Sequence, residues 1–478
     1  MPSLHWFKTA SRTTCASRRV RLRSPRFAAR LRPLSCCGAL GIAAVVMVVA
    51  ACIKPVSTGT SAGSPFLPID SEKALFWDRQ TTETAELLKE FIREFNANRL
   101  GPSIEAEYIG GYGEIFRKVS ASIQARKLPA MAVAYESMTA EYVLAGAVID
   151  LESLAADPRT GLDSAARDDF FPAVLETNRY PDFGDKMFSF PFAKSVLVMY
   201  YNKRLLAEAG IDAPPKTWDE FLGQCRRIKA KTGRAAYPIS VDCSTINGMI
   251  YSMGGDVVRG RETLYDSPQA LKVFRLIETL SQEGLAYPIT PDTYDDRVAL
   301  SQDRAAFAFR SSSHRTSMET LMEGDHSRWG IAPIPQADPA DPHTVLYGPN
   351  VVIFNTTPEQ QRAAWAFVTF FTSPEISARW ALGTGYMPVR RSVASDPGMQ
   401  AFWSEWPDNR TAFDCLSYAR PEPNLAGWQR VRDIVELAET SILARLKTAD
   451  QAVRDLKRAA DAALRQAQPD AGASPKAF

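Results

Sequence analysis

From residue 74 onward the spacing of apolar residues switches repeatedly between two periods. Ala74-Leu75-Phe76-Trp77 is an unbroken apolar run that predicts a short strand, and Leu87, Leu88, Phe91, Ile92 and Phe95 then recur at helical spacing over 84–96. A second strand is predicted over 104–109, a helix over 114–126, and the apolar run 130–135 has the pattern of a parallel strand covered on both faces. Strands alternating with amphipathic helices define an α/β lobe. The pattern continues with a strand over 195–201. Thr217-Trp218-Asp219-Glu220 then forms a capping box opening a helix that runs to Gly233. Further helices are predicted over 268–283, 358–372, 374–382, 428–446 and 449–467.

Composition adds a division between the first fifty residues and the rest. The chain has 478 residues, 45 % hydrophobic and 23 % charged, enough for more than one core, and its formal charge is +2. Residues 1–51 carry nine basic groups and no acid, so the remainder holds 47 basic against 54 acidic residues, a net charge of −7. A body of that charge is a poor match for nucleic acid, and none is expected as a partner. The basic stretch ends at Arg32, and residues 34–51 carry no charge, the layout of a secretory signal. An uncleaved membrane anchor is the alternative, and either one exports the rest of the chain.

Val49-Ala50-Ala51-Cys52 resembles the bacterial lipobox, whose cysteine takes a diacylglycerol and becomes the mature N-terminus. On that resemblance 1–51 is a signal peptide, Cys52 is the lipidation site, and the Ser-, Thr-, Gly- and Pro-rich stretch to residue 71 is a tether. The body would then sit outside the cell membrane, held by its lipid and facing the periplasm or exterior. Of the remaining cysteines, Cys225 and Cys243 could pair in an oxidising compartment, with three buried thiols as the preferred alternative. Residues 467–478 read as a disordered tail.

Reactive motifs are missing from this pattern. His314, His326 and His343 lack metal-ligand spacing, and the sequence has no CxxC, GxSxG or phosphate-binding GxxxxGK[ST]. Ser311-Ser312-Ser313-His314 sets hydroxyls beside an imidazole but no acid to orient it. Neither catalytic residues, a metal nor a cofactor is expected, and the serines read as ligand donors.

The segment Pro191-Phe192-Ala193-Lys194-Ser195-Val196-Leu197-Val198-Met199-Tyr200-Tyr201-Asn202-Lys203, followed by Ala209-Gly210 and Pro214-Pro215-Lys216-Thr217-Trp218-Asp219-Glu220-Phe221, resembles the fingerprint of the family 1 extracellular solute-binding proteins of ABC importers. Phe76-Trp77, Phe95-Asn96 and Gly383-Thr384-Gly385-Tyr386-Met387-Pro388-Val389 keep the family's order. The resemblance implies a periplasmic-binding-protein-like α/β fold with two lobes, several crossovers and a ligand cleft between them. Lobe one is expected over 72–192 and 305–346, lobe two over 194–304 and 348–466. The crossings are expected at 191–195, 305–310 and 347–351. It also implies a monomer that delivers a small solute to ABC permease subunits.

Within that family the glycerol-3-phosphate and glycerophosphodiester binders are the nearest subgroup, on Gly111-Tyr112-Gly113-Glu114, Tyr135-Glu136, Ser195, Ser311-Ser312, Gly348, Tyr386 and Arg432. The resemblance makes Tyr112, Glu136, Ser195, Ser311, Ser312, Gly348, Tyr386 and Arg432 the ligand-binding set. Arg432 with Tyr112 and Tyr386 would clamp a phosphate, and Glu136 would accept from polyol hydroxyls. Two departures keep a sugar open as ligand: Val241-Asp242-Cys243-Ser244-Thr245 has no aromatic where the subgroup has tryptophan, and Lys194 replaces a small polar residue. Asp242 with Trp428 would serve a neutral saccharide instead. A secreted phosphodiester or glycoside hydrolase and a lipid-anchored sensor or scaffold are the competing functions on the same framework.

Overall fold

The computed structural model describes residues 64–98, 101–290 and 293–468, all within the compact unit Ser61–Phe478. The signal, Cys52 with the expected tether up to residue 63, and the tail after Gln468 lie outside the described residues; residues 64–71, also expected as tether, are instead packed on the body, with Phe66 buried and Leu67–Pro68 paired parallel with Lys127–Leu128.

Ten strands build two five-stranded sheets. In chain order they are β1 (Lys73–Asp78), β2 (Ser103–Tyr108), β3 (Met131–Ala134), β4 (Phe190–Pro191), β5 (Ser195–Asn202), β6 (Phe307–Ser311), β7 (Trp329–Pro333), β8 (Thr344–Tyr347), β9 (Asn350–Ile353) and β10 (Ala419–Pro421). The first sheet runs β2-β1-β3-β9-β4, with β1 parallel to β2 and β3, and β9 antiparallel to β3 and β4. The second is organised on β5, which pairs antiparallel with β6, β7 and β8, while β10 runs parallel to β8.

The helices that bear on the site are α1 (Thr82–Ala97), α2 (Tyr112–Gln124), α3 (Glu136–Leu144), α4 (Trp218–Thr232), α5 (Cys243–Ser252), α6 (Pro268–Gln282), α7 (Pro358–Phe371), α8 (Pro374–Thr384), α9 (Trp428–Leu443) and α10 (Ala449–Gln466). The α1 stripe buries Leu88, Phe91 and Ile92, with Leu87 and Phe95 packed at its edge, as the spacing requires. The capping box on α4 is formed in both directions, and the helix stops at Gly233, whose φ of +71° suits glycine.

Two apolar cores arise from the two sheets. One gathers Phe76, Phe91, Phe192, Phe371 and Trp380, where Phe192 stacks on Phe371 with centroids 4.4 Å apart. The other gathers Phe221, Tyr237, Phe309, Val431 and Val435. Strand β5 serves both. Its even positions Val196, Val198 and Tyr200 enter the first core, and Leu197 and Met199 enter the second, as side chains alternating across a pleated strand must.

The chain crosses between sheets from β4 to β5 and again from β8 to β9, within the segments expected at 191–195 and 347–351. The third expected crossing, at 305–310, is not one. Phe307–Ser311 is a strand of the second sheet, hydrogen-bonded along β5, and Trp329–Pro333 and Thr344–Tyr347 join it there. Residues 305–346, expected in lobe one, therefore carry the second sheet. Asn350–Ile353, expected in lobe two, completes the first, with α7 and α8 packed on that side. The chain regains the second sheet only at β10. The reason is pairing: β5 has two long edges, and β6, β7 and β8 are the strands that satisfy its backbone groups. Cys225, Cys243 and Cys415 are buried free thiols.

Candidate functional site

Where the two crossings meet, β5, β6, β8 and the loops after β1 and β3 enclose a cavity of about 160 Å³. Its wall holds Tyr112, Ser195, Ser311, Gly348 and Tyr386 of the expected set, joined by Arg79, Tyr135, Asp242, Arg310, His314 and Tyr347. The volume exceeds by many times the ~10–15 Å³ that one water occupies.

Local structure explains each position. Tyr112 opens α2, and its ring lies 4.1 Å from that of Tyr135, the residue between β3 and α3. Tyr386 leaves α8 through Gly385 and stacks on Trp380, centroids 5.9 Å apart. The Ser195 hydroxyl donates to the Tyr347 carbonyl at 3.3 Å, tying the two crossings at their second-sheet ends. At Gly348 the chain turns with φ +102°, and a Cβ there would stand 2.3 Å from the Ala193 carbonyl oxygen, so the close approach of the crossings excludes any side chain. Ser311 ends β6 and shares a 2.7 Å hydroxyl contact with Ser313.

Three expected residues are placed otherwise. Glu136 is buried beneath the wall. Its Oε1 accepts from Lys194 Nζ at 2.9 Å and from Asn350 Nδ2 at 3.0 Å, so it is bonded to protein. Lys194, the departure from the subgroup's small polar residue, is fully buried and also donates to the Gly348 carbonyl at 3.0 Å. Burial pushes its pKa down and Glu136 opposes that. The Ser312 hydroxyl accepts from the Val196 amide at 3.3 Å, behind the wall. Arg432 is buried against Glu422, its Nη1 2.8 Å from both carboxylate oxygens, with Ser244 at 3.1 Å and its Nη2 3.6 Å from Asp242. It lies under Tyr135, 5.4 Å from the ring centroid. Trp428 belongs to the second core, stacked on Tyr265, so it offers no platform beside Asp242.

The polar lining is electrically uneven. Arg310 is held by Asp296 through Nε at 2.5 Å and Nη2 at 3.0 Å. His314 is kept neutral: burial, then Arg297, Arg310 and Arg79, push its pKa well down. Asp242 caps α5, accepting from the Thr245 amide and hydroxyl at 2.9 Å each. Behind it, burial raises Glu439 strongly and lifts Glu436 to about 7. Arg79, absent from the sequence-derived set, projects into the cavity beside Tyr112. The only signal that could have found it is its position directly after the first apolar strand, where α/β lobes place ligand groups. Among the described residues no cluster of His, Cys, Asp and Glu could hold a metal ion, and no helix is long and apolar enough to cross a membrane.

Residues 90–411 match the pattern of the bacterial extracellular solute-binding proteins, and the chain belongs to that family. A similar relative is the sn-glycerol-3-phosphate-binding periplasmic protein UgpB of Escherichia coli K12, 23 % identical over 400 residues, 79 % of this chain and 89 % of that one. Among solved structures, UgpB of Mycobacterium tuberculosis in complex with glycerophosphocholine superposes with a TM-score of 0.72 at 21 % identity, covering 83 % of this chain and 99 % of that one. The cyclic α-maltosyl-1,6-maltose binding protein of Arthrobacter globiformis gives 0.70 at 20 %, covering 82 % and 99 %. These likenesses establish the two-lobed α/β fold of periplasmic binding proteins, and the relatives are binding proteins.

Proposed function

We propose that the protein is the substrate-binding component of an ABC importer and that its solute is a phosphorylated glycerol compound, glycerol-3-phosphate or a glycerophosphodiester. The observation that carries this reading is the polar cavity at the two crossings, where the side chains of four tyrosines, three serines and two arginines share one wall. Phosphoryl oxygens need several donors at once, and phenols with a guanidinium supply them. Capture would proceed by the lobes closing about the crossings, which removes the solute from water, and the closed form would be what the permease subunits accept. The protein would act as a monomer held at the membrane by lipid on Cys52. Changing Cys52 to Ala should release it from membranes or leave an unprocessed precursor; unchanged anchoring and processing would end the lipid reading.

Asp242 on the wall favours a second reading, a neutral sugar, because a carboxylate accepts from hydroxyl groups. Thermal-shift and calorimetric titration with glycerol-3-phosphate, glycerophosphocholine, maltose and monosaccharides decides between them. A bound solute at a hundredfold excess over Kd stabilises by about 2.7 kcal/mol. Binding of sugars alone overturns the phosphate reading, and no stabilisation by any solute overturns the transport reading.

A further inference from the structure

One cation on the cavity wall has no carboxylate at ion-pair distance. Arg79 comes directly after β1, its guanidinium carbon 4.6 Å above the Tyr112 ring and its Nη1 3.5 Å from the Tyr112 hydroxyl. Its Nε is buried without a hydrogen-bond partner, and among the described residues no carboxylate forms an ion pair with it. The neighbouring carboxyl, Asp78, accepts instead from the Gln80 amide at 2.7 Å. The other two arginines near the cavity are each matched, Arg310 by Asp296 and Arg432 by Glu422. A guanidinium withdrawn from water without a counter-charge is costly, and the cost is removed when a ligand brings the anion.

We propose that Arg79 is the specificity-determining residue that binds the solute's phosphate, and that its single charge, bound in no ion pair, selects a phosphodiester over a phosphomonoester. This rests on the reading of the cavity as a phosphate-ester site. The Tyr112 hydroxyl stands beside the guanidinium and Tyr135 and Tyr386 share its wall, so their hydroxyls would serve the remaining phosphoryl oxygens. A diester carries one negative charge. A monoester carries about 1.5 to 2 at pH 7. Its second charge would find neither Arg310 nor Arg432 free, and His314, flanked by three arginines, is neutral and supplies none.

The test is calorimetry at pH 7.5 with glycerophosphoglycerol, sn-glycerol-3-phosphate and maltose, on wild type, Arg79→Gln and Arg79→Lys. Wild type is expected to bind the diester at least tenfold more tightly than the monoester. Arg79→Gln should lose about a hundredfold for the diester while unfolding at a temperature no lower than wild type, and Arg79→Lys, which keeps the charge without the fork, about tenfold. If Arg79→Gln does not fold, the lysine variant carries the test. Diester affinity within threefold of wild type in the folded variants overturns the role of Arg79 and leaves the phosphate reading standing. A wild type that prefers the monoester overturns the charge selection. One that binds maltose and neither ester, or none of the three, overturns the proposal together with the phosphate reading.

Discussion

Arg432 and Arg79 lie against the two members of one tyrosine pair, Tyr135 and Tyr112, and their electrical states are opposite. Arg432 extends from α9 into a knot with Glu422, Ser244 and Asp242, and its positive charge is fully answered before any solute arrives. Arg79 extends from the end of β1 over Tyr112 and, among the described residues, forms no ion pair. A guanidinium is available to a ligand only where the fold brings it no carboxylate, and that depends on residues distant in sequence, not on the motif around the arginine. The knot therefore belongs to stability, the lone arginine to recognition.

The most direct challenge to this contrast is to empty the knot. Arg432→Met leaves Glu422 buried with only the Ser244 hydroxyl and the Asn247 amide, and should lower unfolding free energy by about 3–5 kcal/mol, as for other buried pairs cut on one side. Urea denaturation measures it; a loss below about 1 kcal/mol would mean that Arg432 is free for ligand after all. Lys194→Met should cost a similar amount, about 3–5 kcal/mol at the upper end of single substitutions, because Glu136 keeps only Asn350. The double change with Glu136→Gln should recover more than half, since the stranded charge is then gone. No recovery would show that the lysine acts by packing alone.

A smaller effect depends on pH. Burial raises Glu436 from its ordinary 4.5 to about 7, so the folded protein holds this proton more tightly than the unfolded chain. Its contribution is complete below about pH 4.5 and is lost as pH climbs through about 7. The loss is on the order of 3 kcal/mol. Glu436→Gln keeps an oxygen for the Cys243 amide and removes the titration. Its stability should fall less steeply than wild type between those limits, and parallel curves would place Glu436 outside this linkage. The smallest expected effect is at the other arginine: Arg79→Gln should leave ligand-free stability within about 1 kcal/mol of wild type, or raise it, because no ion pair is lost. A loss as large as that at Arg432 would erase the distinction between the two.

Much of the framework was legible in the chain. The apolar stripe of α1, the capping box of α4, the paired helices α9 and α10 and the strand β5 are set by period, caps and turn residues that act over a few positions. Two of the helices that bear on the site escaped for a physical reason. Every residue of α5 is buried, and so are seven of the nine in α3, so neither shows a polar face and the helical period vanishes from the sequence. Of the eight residues expected at the cavity, five line it, and the three that do not were the ones with the strongest demands: a carboxylate, a guanidinium and a buried hydroxyl.

Local order is written in the chain itself: which segments are strands and helices, that they alternate, and that Tyr112, Tyr386 and the serines stand at element ends where a ligand can meet them. The partition of strands between sheets is settled only in three dimensions, since pairing along β5 is a competition among segments more than a hundred residues apart. Charge is settled there too. Whether Lys194, Glu136, Arg432 or Arg79 faces a solute depends on which opposite charge folding places within 4 Å, because inside a protein an ion pair consumes the group that makes it.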